Sequence, residues 1–106
     1  MIGCVFVTIY LTNLKSDDKY GIYWILTSSG TIYELHIDET TLLKRIPKLS
    51  KNNYAHSPLR KDNKYIEVVA DFDIVVGASA IFILKGLGHP PFTKRITTTV
   101  VKIYTF

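Results

Sequence analysis

The sequence predicts an all-β protein, mostly antiparallel, forming a small single-domain β-barrel or two-sheet sandwich. Three observations lead there. Apolar residues recur at period two through most of the chain. Clusters of Gly, Asn, Asp, Ser and Pro punctuate those stretches at regular intervals, which implies about six to eight short strands. The 106 residues, 47% of them hydrophobic, suffice for one core across residues 1–106 but not for a Rossmann or TIM architecture.

Residues 4–11 alternate, with Val5, Val7, Ile9 and Leu11 on one face and Cys4, Phe6, Thr8 and Tyr10 on the other. Residues 13–19, NLKSDDK, read as a turn, because Asn, Ser and Asp side chains bond their own backbone. Residues 20–27, YGIYWILT, are apolar on both faces, as a central strand requires. SSG at 28–30 is a hairpin turn, and residues 31–37 return with Tyr33, Leu35 and Ile37 opposed to Ile32, Glu34 and His36.

Residues 39–46 are ambiguous. Acids at Asp38 and Glu39 ahead of Lys44 and Arg45, with Leu42 and Ile46 four apart, suit one short helix. Thr40 and Thr41 are β-branched and Pro47 stops any helix early, so a strand returning from a turn at DETT is slightly favoured. Residues 48–63 show no period. Residues 65–70 form a strand, with Ile66, Val68 and Ala70 on one side. Two short strands flank GAS at 77–79. KGLGHPPFTK at 85–94 is a loop, and residues 95–106 form a long threonine-rich strand. Such a strand, if it lies at an edge, invites pairing with another chain and a homodimer through that edge strand; if it is central, the sheet closes on it and the argument disappears.

The formal charge of +4 is local. Residues 44–64 hold seven of the chain's thirteen Lys and Arg, with Asp62 as their only acid. Cations that displace phosphate counterions, interleaved with rings that stack on unpaired bases, are what single-strand binding needs. The candidate binding set is therefore Lys44, Arg45, Lys48, Lys51, Tyr54, His56, Arg60, Lys61, Lys64 and Tyr65. Arg45 and Arg60 stand out, since guanidinium grips phosphate or carboxylate with two parallel bonds. A solubilising loop whose lysines lie over the apolar body is the plainer explanation of the same residues.

Other chemistry is sparse. His36, His56 and His89 lack the HxH or HExxH spacing of a zinc site, so no metal and no cofactor is assigned. Asp71 and Asp73 lie two apart and read as the exposed end of a strand; their DxD spacing is similar to that of haloacid-dehalogenase-type phosphotransferases, which need a parallel α/β sheet and a longer chain. TSSGT lacks the GxSxG frame, and GLGHPP lacks the Lys-Ser/Thr ending of a phosphate loop. No catalytic residue is assigned. A single cysteine, no visible secretory signal and no apolar run of roughly 18–20 residues predict a cytoplasmic protein without a membrane span.

The functional expectation is a non-enzymatic binding module engaging an anionic partner through residues 44–65, RNA or single-stranded DNA ahead of an acidic protein. The alternative is a protein-interaction or inhibitory module, like a phage or viral accessory protein, acting through its sheet edge and aromatic faces. A small metal-independent nuclease using His56 is the third reading.

Overall fold

The computed structural model describes residues 7–47, 63–86 and 91–106. Nine antiparallel strands and no helix make up this part of the chain. They are β1 (Ile9–Leu11), β2 (Asn13–Lys15), β3 (Gly21–Thr27), β4 (Ile32–Ile37), β5 (Thr41–Ile46), β6 (Tyr65–Val68), β7 (Asp73–Val75), β8 (Ser79–Lys85) and β9 (Phe92–Thr105). With no helix among the described residues, none is long and apolar enough to cross a membrane. The ambiguous residues after Asp38 resolve as strand: Leu43 fills the core, Lys44 turns outward, and period two wins over the i,i+4 pair.

Seven strands form one sheet in the order β1-β9-β3-β4-β5-β6-β8, and β9 also pairs with β8. The ladder thus curls back on itself. The β6–β8 seam has only one register pair, Val68 with Leu84, so the architecture is sandwich-like and not a fully zipped barrel. β9 serves both layers. Its C-terminal part pairs with β3 and β1, and its N-terminal part pairs with β8. Register shifts opposite Leu26/Thr27 and opposite Ser79/Ile81 mark where it bends from one layer to the other. Bulges bend a strand and sharpen its twist, which is how one strand turns a sandwich corner.

The β2–β7 pair is a separate two-stranded ribbon. The turn expected over residues 13–19 therefore begins with a strand. Leu14 faces Ile74 across this ribbon and both are fully buried, so a single apolar contact draws the polar segment onto the core. The rest of the core is Ile25, Leu35, Ile37, Leu43, Ala80, Phe82, Leu84, Val100 and Ile103, with Tyr23, Tyr33, Val68 and Phe72 at its margin. Each of the larger side chains contributes about 1.5–3 kcal/mol by leaving water. The buried hydroxyls are satisfied. Thr27 donates to the Thr31 carbonyl at 3.0 Å, and Thr97 accepts the Ala80 N–H at 2.9 Å while donating to the Thr98 carbonyl.

Hairpin turning at 28–30 is realised with Gly30 at φ 88°, the left-handed residue of a three-residue loop. β3 is central, between β9 and β4, which accounts for its two apolar faces. The long C-terminal strand is also central over its second half, flanked by β1 and β3. The expected edge pairing has no basis there.

Candidate functional site

Alternation gives each strand of the large sheet an outward face, and the registers align one residue from every strand but β8. Tyr10 on β1 faces Tyr104 on β9, Tyr104 faces Trp24 on β3, and Trp24 faces Glu34 on β4. Glu34 faces Lys44 on β5, and Lys44 faces Tyr65 on β6. Six residues from six strands thus form one row across the outer surface. At a strand spacing of about 4.8 Å the row spans about 24 Å.

One half of the row is aromatic. Trp24 stacks on Tyr104 with centroids 5.8 Å apart and planes at 18°. Phe106 meets Trp24 edge-on at 5.2 Å, and Tyr10 packs tilted against Tyr104 at 6.3 Å. Lys102, next outward position on β9, holds its ammonium 5.4 Å from the centroid of Tyr10. Tyr10 and Phe106 remain more than half exposed. These contacts preorganise the rings, because each ring is held by a neighbour, with Trp24 and Tyr104 half-buried between the exposed Tyr10 and Phe106.

The other half is a polar clamp centred on Glu34. The Trp24 indole N–H donates to Oε1 at 3.2 Å. Oε2 accepts a short hydrogen bond from the Tyr65 hydroxyl and lies 2.9 Å from His36 Nε2. Lys44 Nζ stands 3.8 Å from the same oxygen and 4.8 Å from the centroid of the Tyr65 ring. His36 meets Tyr65 edge-on at 4.8 Å. Desolvation pushes the Glu34 carboxyl up. The bonds from Tyr65, His36 and Trp24 and the charge of Lys44 outweigh it, so its pKa lies below the ordinary glutamate value. The hydrogen bond to Glu34, then desolvation, raises the Tyr65 phenol. Glu34 is thus an ionised anchor that fixes the orientation of Trp24 and Tyr65 at once.

Acids collect elsewhere. Asp38, Glu39 and Asp71 line an open depression of about 420 Å³ with Ser16, Thr41 and Phe72. The Ser16 hydroxyl donates to Asp71 at 3.3 Å. Asp73, two residues on, sits in β7 opposite Lys15, and both aspartates are exposed as expected. Among the described residues, no group of three His, Cys, Asp or Glu gathers to hold a metal ion.

Of the residues expected to bind a partner, Lys44, Arg45, Lys64 and Tyr65 are described; Lys48, Lys51, Tyr54, His56, Arg60 and Lys61 lie outside the described residues. Lys44 and Tyr65 are register partners in the row. Arg45 is not on that face. It shares the core side with Leu43 and lies opposite Tyr33, so neighbouring cations on β5 point to opposite surfaces. Lys64 is exposed just before β6.

Tyr10, Trp24, Glu34, Lys102, Tyr104 and Phe106 were not singled out from sequence. Their outward parity is readable in each strand, but their alignment depends on pairings such as Trp24 with Tyr104, which no local pattern encodes. Comparison with protein-family models, with curated proteins and with solved structures finds no match. The side chains themselves must carry any functional reading.

Proposed function

We propose that the protein is a non-enzymatic binding module whose partner is single-stranded nucleic acid, RNA or DNA, laid across the aromatic row. The observation that carries this reading is the register itself. Tyr10, Tyr104, Trp24 and Tyr65 fall in one line with Lys44, and Lys102 and Phe106 stand beside it. Unpaired bases stack on such rings at about 1–3 kcal/mol per base, and lysines beside them displace phosphate counterions. Every base has a π face, so the surface needs no sequence preference.

The segment rich in cations adds to this. The chain leaves β5 through Pro47 and returns at Asn63, whose N–H donates to the Arg45 carbonyl at 2.8 Å. Both ends of the segment are therefore anchored at the β5–β6 end of the row, beside Tyr65.

A labelled twelve-nucleotide single strand, titrated at several salt concentrations, tests the proposal. Affinity should fall steeply with salt, and Lys44→Ala or Lys102→Ala should each reduce the log–log slope by about 0.7. Arg60→Ala with Lys61→Ala should reduce it further. Affinity that does not change with salt, or slopes untouched by these substitutions, would reject the proposal.

A further inference from the structure

β9 is paired along one side by β8 and then β1, but on the other side β3 reaches only Val100. The Ser28 N–H to Thr99 carbonyl bond, 2.8 Å, ends the main-chain ladder, and beyond it the Thr98 hydroxyl still meets Ser29. Among the described residues, positions 92–98 therefore have no ladder partner on the β3 side. In an antiparallel strand every second residue directs its N–H and C=O to such a side. The outward face here is apolar with cations set into it: Phe92 opposite Lys85, Lys94 opposite Ile83, and Ile96 opposite Ile81. Phe92 is 56% exposed, Ile96 60% and Ile81 49%. Along β8 and β9 the charge is of one sign, since these strands carry Lys85, Lys94, Arg95 and Lys102 and no Asp or Glu.

A second copy of this chain is a poor occupant. Twofold antiparallel pairing centred on Lys94 or Arg95 sets like charges directly opposite each other, and centring on Ile96 avoids this but overlaps only residues 94–98. Like charges directly opposite destabilise a ladder, and a lysine on an edge is a common block to self-pairing. The same cations favour an acidic strand. We propose that residues 92–98 of β9 form a strand-addition site for an extended acidic peptide. Main-chain bonds to the open side supply the affinity. Side chains lying beside Phe92, Lys94 and Ile96 read an apolar–acidic–apolar pattern at alternate positions. This site is separate from the aromatic row and does not depend on it.

The test uses the full chain, labelled with nitrogen-15, and two capped heptapeptides, Thr-Val-Thr-Glu-Thr-Val-Thr and the same sequence with Lys in place of Glu. The Glu peptide should shift the amides of residues 92–98, protect them from hydrogen exchange, and bind about tenfold more tightly than the Lys peptide. Lys94→Glu should invert that preference. Equal binding of the two peptides, no binding at millimolar concentration, or shifts confined to other strands would overturn the proposal. So would a twelve-residue oligothymidylate that protects the same amides and excludes the Glu peptide, which would assign this edge to nucleic acid.

Discussion

Glu34→Gln is the most informative single change, because one carboxylate holds four neighbours. It keeps the shape and removes the charge. In the wild type, Glu34 accepts from the Trp24 indole and the Tyr65 hydroxyl, contacts His36, and faces Lys44. Hydrogen bonds to an ionised group contribute about 1.5–3 kcal/mol, against about 0.5–1.5 for neutral ones. The half-buried Lys44 pair, at 3.8 Å, adds about 0–1 kcal/mol. The donors share one carboxylate, so their losses do not add. The glutamine carbonyl keeps one donor partner and its amide opposes another. The expected loss is about 2 kcal/mol at neutral pH, or a fall in Tm of about 8–16 °C for a chain of this size.

The pH dependence follows from the direction of the shift. Glu34 has a lower pKa folded than unfolded, so its contribution is complete above the unfolded value and disappears as pH falls through the folded one. Denaturant unfolding of both proteins from pH 7 downward reads this directly. The stability gap should stay constant until the ordinary glutamate range, then close with further acidification. A Tm within 1 °C of wild type at neutral pH, or a gap that widens as pH falls, would refute the assignment of Glu34 as an ionised anchor.

Further outcomes test the scaffold. Thr97→Val keeps the shape but strands the buried Ala80 N–H, and should cost about 1–3 kcal/mol in the denaturant midpoint with an unchanged m-value, whereas Thr97→Ser should cost less. Gly30→Ala forces a side chain into the left-handed region at φ 88°, and should lower stability by about 1–2 kcal/mol, with Gly30→Asn milder. Ile103→Ala empties a fully buried site between β3 and β1, and should cost about 2–5 kcal/mol by thermal or chemical unfolding.

Much of the fold was legible locally. The strand at residues 32–37 shows why: Tyr33, Leu35 and Ile37 alternate with Glu34 and His36, and the first three are buried as their parity demands. What was not legible depended on distant partners. Asn13–Lys15 has turn chemistry, yet Leu14 needs one apolar neighbour to make it a strand, and Ile74 supplies it from across the chain. The β9 corner depends on bulges that leave no local mark in TTTVV. Charge density identified the middle segment, but a count along the chain does not see that Lys44 and Arg45 face apart. It also cannot see that Trp24, Tyr104 and Tyr10 meet, because parity is local and register is not.

The row contains the chain's single tryptophan, so the emission of Trp24 reports on this surface alone. Titration of the intact protein with a twelve-nucleotide single strand at low salt should quench that emission as bases stack beside the indole. The quench should reverse on adding salt, and Tyr65→Ala or Tyr10→Ala should weaken binding by about 1–3 kcal/mol. Emission unaltered at saturating oligonucleotide, with Tyr10 and Tyr65 variants binding like wild type, would contradict the assignment of the row as the partner surface.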